Sequence, residues 1–214
     1  RPLPNQNELS ALLHHLYAGV TDPRELNGFI GQCSQHIEAV SAAVAICEIE
    51  TGRWRYLEFH PGPVDLARVY ETHYSEHDPV KAALLRLPPR RFYFSHELCD
   101  EHTQRTHPYW VEWFAKLDYT DVCAARIPLG AHYSCHIGFV RQTGAERFAR
   151  RELDFLDLLL PHLEQALQMH ARMDRLKVMA DLAQEHLSQT GAGCVVLNGD
   201  GRVTFRNRVA QDLL

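Results

Sequence analysis

The sequence predicts an α+β fold: an antiparallel sheet with flanking helices, followed by a long helix. Three observations predict it. Two strand-like segments, 41–50 and 53–60, face each other across Thr51-Gly52, and two more, 120–128 and 132–141, across Leu129-Gly130-Ala131. The stretches before and between them carry apolar residues at helical spacing. Finally, 148–187 contains no glycine and is rich in Leu, Glu, Arg, Gln and Met, all good helix formers.

The elements follow in order. Leu9, Leu12, Leu13, Leu16 and Tyr17 mark a first helix over 8–18, and Leu26, Phe29, Ile30, Cys33 and Ile37 a second. Asp22 is placed to cap that second helix, with Pro23 at its first position. In the strand at 53–60, Trp54 and Tyr56 alternate with Arg53 and Arg55, the pattern of a half-buried strand. A helix over 64–74 puts Leu66, Val69, Tyr70 and His73 on one face, and Asp78-Pro79 starts another by the same capping logic. Residues 91–95 read as a short strand and 106–117 as an amphipathic helix bearing Trp110, Trp113 and Phe114. With the second strand pair, the count reaches five strands interleaved with helices.

Within the long helix, Leu156, Leu160, Leu163 and Leu167 step by four, three and four. After a phase slip near Met169 and His170, Met173, Leu176, Ala180, Ala183 and Leu187 resume heptad spacing. The first series reads as packing on its own domain and the second as a dimer seam with another copy. Pro161 removes a helix hydrogen bond at a cost of ~3 kcal/mol, which predicts a kink or a helix junction. The tail is a fresh unit: apolar 194–197, the hairpin turn Asn198-Gly199-Asp200-Gly201, a strand at 203–205, and Asn207 as cap of a final helix. Two strands and a helical turn cannot bury a core, so this unit reads as incomplete.

Composition narrows the function. Of 214 residues, 45% are hydrophobic and 23% charged, enough for one good core with material left over. Net charge is −5, with no basic run, so charge alone does not put this chain on DNA. Six cysteines without a CxxC pair suggest reduced thiols in a cytoplasmic protein. The longest apolar run, Ala42–Cys47, is far short of the roughly 20 residues that span a bilayer. GxSxG, HExxH, GxxxxGK[ST] and strand-linked GxGxxG signatures are missing, which points away from an enzyme.

The run Tyr74-Ser-Glu-His-Asp78-Pro79-Val80, then Arg91-Phe-Tyr-Phe-Ser95, Phe148, Arg151-Glu152-Leu153 and Leu159-Leu160-Pro161-His162-Leu163, resembles the sensor half of LuxR-type helix-turn-helix transcription regulators with a GAF- or PAS-like input domain. The tail from Val195 through Asn207 resembles the opening of a PAS domain. The resemblance implies a sensor domain over 1–145, a linker and dimerisation helix over 146–190, and the beginning of a PAS-like domain over 191–214. It also implies DNA binding through a helix-turn-helix domain not contained in these residues. The acyl-homoserine-lactone branch of the family carries a Trp and a Tyr thirteen and nine residues before the Asp of its Asp-Pro pair. Here those positions are Asp65 and Val69, so a quorum-sensing lactone is not the expected ligand.

Several residues qualify as chemistry. His73 and His77 stand four apart on a helix beside Asp78, a spacing open to zinc, and His132 and His136 share a strand face, with Cys135 on the other. No third ligand follows at a diagnostic spacing, so these histidines read as structural or surface residues, and no metal or cofactor is expected. Cys123 and Cys135 lie in apolar strands, where cysteine behaves as a small hydrophobe. Tyr70, Tyr74, Trp110, Trp113, Phe114 and Tyr119 suit either a plain core or the wall of a small-molecule pocket. Tyr70, Tyr74, Asp78 and Trp110 are the expected ligand contacts, with Asp78 equally suited to a helix cap. The expectation is a homodimeric sensor segment of a transcription regulator that relays an unidentified ligand or partner through the long helix. A ligand-free dimerisation scaffold is the alternative, ahead of an enzyme of unknown chemistry.

Overall fold

The computed structural model describes residues 4–61, 66–189, 191–197 and 199–213. The chain divides after Gln168 into two compact units.

The first unit is built on a five-stranded sheet. Helices α1 (Gln6–Ala18) and α2 (Pro23–His36) precede β1 (Ser41–Glu48) and β2 (Trp54–His60). Helix α3 (Leu66–His73), a 3-10 turn (Ser75–His77) and α4 (Pro79–Arg86) lead to β3 (Phe92–Phe94). Then come α5 (Ser95–Leu98), α6 (Glu101–Thr106), a π-helical segment (Tyr109–Phe114), β4 (Tyr119–Leu129) and β5 (Tyr133–Gln142). The strand order is β2-β1-β5-β4-β3, and every neighbouring pair is antiparallel. Both hairpins fall where turn composition put them. Gly52 and Gly130 each adopt positive φ, the left-handed conformation that a Cβ disfavours.

The caps act as their residue types dictate. Asp22 Oδ1 accepts the Arg24 N–H at 3.0 Å, and Asp78 Oδ1 accepts those of Val80 and Lys81 at 2.8 and 3.2 Å. The helix expected over 106–117 is present, but it starts at Pro108 and is π-helical over Tyr109–Phe114. Pro108 follows His107, whose backbone is extended (φ −75°, ψ 134°), the conformation that a following proline imposes. Helix α6 therefore ends at Thr106, and a separate π-helical turn buries Tyr109, Trp110, Trp113 and Phe114.

The pleat sorts side chains to two faces. Cys123, Ala125 and Ile127 of β4 are buried on one face, where Phe29 and Cys33 of α2 meet Phe92, Ile137, Phe139 and Leu156, Leu159, Leu160 and Leu163 of α7 (Arg150–Gln189). Val122 and Ala124 look to the other face, where they join Leu66, Tyr70, Val80, Leu84 and the π-helical aromatics. The first half of α7 is thus part of the core of the first unit, with Leu156, Leu160, Leu163 and Leu167 all buried. The helix runs through Pro161 without the junction that a lost hydrogen bond suggested. Pro161 lies on the exposed side, so the carbonyl it leaves unpaired need not be buried.

In the second unit, α7 continues with Leu176, Val178, Met179 and Leu182 all exposed. Strands β6 (Val195–Leu197) and β7 (Val203–Arg206) form an antiparallel hairpin, and α8 spans Arg208–Leu213. Asn198 lies outside the described residues. Asn207 is fully buried and ties the unit together: its Oδ1 accepts from Cys194 N and Ala210 N at 2.8 and 3.0 Å, and its Nδ2 donates to Ala192 O at 2.7 Å. Among the described residues, no helix is long and apolar enough to cross a membrane.

Candidate ligand-binding site

A cavity of about 80 Å³ lies between the sheet and the layer formed by α3, α4 and the π-helical turn. Its floor is made of small residues that strand register puts in line. Ala43 of β1 pairs with Gly138 of β5, which pairs with Ala124 of β4. Ala45 and His136 are the next pair along on the same face. Three neighbouring positions with a methyl group or less leave space that larger side chains would fill. The opposite wall is aromatic: Tyr70, Tyr109, Trp113 and Phe114, with Trp54 and Phe59 closing the β2 side. Trp113 packs on Tyr70 at 5.8 Å and on Phe59 at 6.3 Å between ring centroids.

The polar groups of the cavity gather around Asp78, Lys81 and Trp54. Tyr70 donates its O–H to Asp78 Oδ2 in a buried hydrogen bond. With Oδ1 taking the two N–H groups of α4, both oxygens of Asp78 are engaged. Burial pushes the Asp78 carboxyl above the usual range against the pull of Tyr70, those N–H groups and Lys81, and burial with the Asp78 charge raises the Tyr70 phenol well above its own. Lys81 Nζ donates to the carbonyls of Gly52 and Ser75 at 2.9 and 3.5 Å, and it lies 4.5 Å from the centre of the Trp54 ring. The Trp54 indole N–H is buried without a hydrogen-bond partner. His136 meets Trp54 edge-on at 5.7 Å and shares a 3.0 Å hydrogen bond with Ser134. Burial, then the Arg126 and Lys81 charges, lower its pKa to about 4.

Of the residues singled out from sequence, the structure brings Tyr70 and Asp78 together at the cavity. Tyr74 stacks on the far side of Trp113 at 4.9 Å and lines a separate open groove with His73, His77, His107 and Glu112. Trp110 is buried in the ring cluster with Tyr109 and Phe114 (5.5 and 4.5 Å) and is not part of the cavity wall. Sequence reading missed Lys81 and the role of Trp54. Lys81 reads as an ordinary exposed helix residue and Trp54 as strand packing, and only the fold sets one above the other. Cys123 and Cys135 are buried in the sheet, where burial raises both thiols, Cys135 to about 12. Among the described residues, no group of three or more His, Cys, Asp or Glu side chains is arranged to hold a metal ion.

A second polar network grips the entry to α7. Arg141, at the end of β5, is buried and donates to Ile37 O, Glu146 O and Glu152 Oε1 at 2.7, 2.6 and 2.7 Å. Glu152 in turn accepts the Ala149 N–H at 2.6 Å. Asp121 of β4 accepts from Ser95 Oγ at 2.5 Å and from Phe148 N at 2.8 Å. Further along α7, Asp157 accepts the Phe92 N–H at 2.6 Å and Glu164 takes the Arg90 guanidinium with both oxygens.

No sequence-family model matches the chain, and comparison with curated proteins gives no match. Solved structures do match in fold. The ligand-binding domain of VqsR from Pseudomonas aeruginosa aligns with a TM-score of 0.59 at 17% identity, over 78% of this chain and 94% of that one. SdiA, known from Escherichia coli, has been solved in complex with octanoyl-rac-glycerol. That complex aligns at 0.58 and 15% identity, over 80% of this chain and 69% of that one. The N-acylhomoserine-lactone-dependent LuxR-family factor CepR2 from Burkholderia cenocepacia aligns at 0.55 and 13% identity, over 76% and 93%. The chain therefore has the fold of LuxR-family ligand-binding domains.

Proposed function

We propose that this chain is the signal-sensing and dimerising region of a LuxR-type transcription regulator, binding a small molecule in the cavity between the sheet and the aromatic layer. The observation that carries the reading is the line Ala43–Gly138–Ala124. In a fold shared with ligand-binding domains, it keeps space open beneath Tyr70 and Trp113, with Asp78, Lys81 and Trp54 at its polar end. The site has the make-up of a binding pocket, a mostly apolar lining with a few convergent polar groups.

In this reading the ligand biases how the first half of α7 packs on the sheet. The helix passes that bias through the seam Met173, Leu176, Ala180, Ala183 and Leu187, then through a PAS-like unit begun by β6, β7 and α8, to a DNA-binding domain. A ligand shifts such a balance only by its differential affinity for the two packings. The ligand-free scaffold is kept as a second reading because one observation favours it. At about 80 Å³ the cavity is well below the roughly 300–1,000 Å³ of common ligand pockets.

Native mass spectrometry of the purified chain tests the reading, alongside Gly138→Val. A Cβ at Gly138 meets Ala124 and Val122 at ordinary contact distance, 3.6 and 3.9 Å, so the variant should fold with the cavity narrowed. The expected result is a dimer carrying added mass that is lost on denaturation, with the added mass gone in Gly138→Val. A dimer without added mass in both proteins would move the conclusion to the scaffold.

A further inference from the structure

We infer that the cavity is built for a compact carboxylate, with the acid group held by Trp54 and Lys81 and a short apolar body lying over Ala43, Gly138 and Ala124. This deepens the sensor reading above and rests on it.

The hydrogen-bonding groups of the cavity wall are unequally used. Asp78 is the acidic acceptor of the wall, and its oxygens are engaged by Tyr70, Val80 and Lys81 N–H. Three of its roughly four lone-pair sites are taken, so a ligand that must donate finds a single place left on Oδ2. Donors, by contrast, are in surplus. The Trp54 indole N–H is buried without a partner, a loss that an incoming acceptor would recover. Lys81 gives its ammonium two carbonyl acceptors out of three N–H bonds. Both acceptors are neutral, and its charge is shared with Asp78, whose carboxyl it pulls down, so one N–H is left for an incoming acceptor.

Both residues line the cavity, with Lys81 Nζ over the Trp54 ring at 4.5 Å from its centre. Arg126, paired with His136 in the β4–β5 ladder, adds positive charge felt at His136, while its guanidinium is bound to the Leu84 and Leu87 carbonyls. The negative charge of Asp78 is countered where it stands, at the N-terminus of α4, whose backbone N–H groups and dipole favour an anion there. Size completes the assignment: about 80 Å³ admits a body of a few carbons and no long acyl chain.

The test uses the intact chain labelled with ¹⁵N. Its three tryptophans give three indole N–H resonances, and Trp54→Phe identifies that of Trp54 while keeping a ring in the wall. Butyrate, butyramide and octanoyl-rac-glycerol are titrated separately. Butyrate is expected to move the Trp54 indole resonance and the Gly138 and Ala124 amides, and to bind about tenfold more tightly than butyramide. Lys81→Met should erase that preference. Equal binding of acid and amide, or cavity shifts that leave the Trp54 indole unmoved, would overturn the carboxylate assignment. Cavity shifts with octanoyl-rac-glycerol alone would overturn it while keeping the sensor reading. No cavity shift with any of the three would overturn both.

Discussion

Burial holds the His136 imidazole neutral, and the consequence is a pH dependence with a definite sign. Its pKa falls from 6.5 to about 4 in the native state, so above pH 6.5 neither state is protonated and the group has no effect. As pH drops from 6.5 toward 4, the unfolded chain takes up a proton that the native state resists, and stability is lost. The full loss is on the order of 3 kcal/mol. Gln at this position keeps a partner for Ser134 but cannot titrate. Urea unfolding of wild type and His136→Gln at about pH 7 and about pH 4.5 should show a steeper acid loss in the wild type. Parallel loss in the two proteins would rule out this histidine as its source. In the sequence, His136 was visible as one of fourteen histidines and as a partner of His132 on one strand face, but not as a buried residue. Its burial follows from lying on the inner face of a central strand, which spacing hints at and register decides.

At the scale of elements, the join between sheet and α7 depends on Arg141 and Glu152, both nearly buried and 2.7 Å apart. Removing one partner leaves the other charge buried and uncompensated, which costs ~3–5 kcal/mol. Arg141→Met should therefore destabilise strongly, while adding Glu152→Leu should recover a good part of the loss. A double-mutant cycle by chemical denaturation measures this, and strict additivity would show that the pair is not coupled. The sequence showed Arg141 as a strand end and Glu152 as part of a helix start, with nothing to link them. The helix over 106–117 was legible by periodicity through Trp110 and Trp113, and only its start moved, to Pro108, because the geometry that Pro108 imposes on His107 separates it from α6.

For the whole molecule, the seam is the prediction that matters most to the proposed function. Leu176 is 66% exposed and Met179 and Leu182 flank it with similar exposure, while the matching positions of the first half of α7 are buried. Leu176→Glu should shift the chain from dimer to monomer at micromolar concentration in sedimentation or native mass spectrometry, because a charge at a heptad seam position must be desolvated on pairing. Its folding should be unaffected, since the side chain is exposed within the chain. An unchanged dimer would remove this stripe from the interface.

Apart from α5 and α6, the sequence by itself determined most of the elements: both hairpins, the Asp22 and Asp78 caps, Asn207 as a cap, and the long helix with its leucine series. These depend on interactions between residues close in the chain, so composition and spacing carry them. It also put Tyr70 and Asp78 among the candidate contacts, while the hydrogen bond between them was left to the fold. Only the tertiary structure decided that Ala43, Gly138 and Ala124 line up across three strands, and that Lys81 stands over Trp54. It likewise decided that Trp110 is packed into the core. Strand register and layer packing bring together residues tens of positions apart, and no local pattern records which small side chains will meet to leave a space.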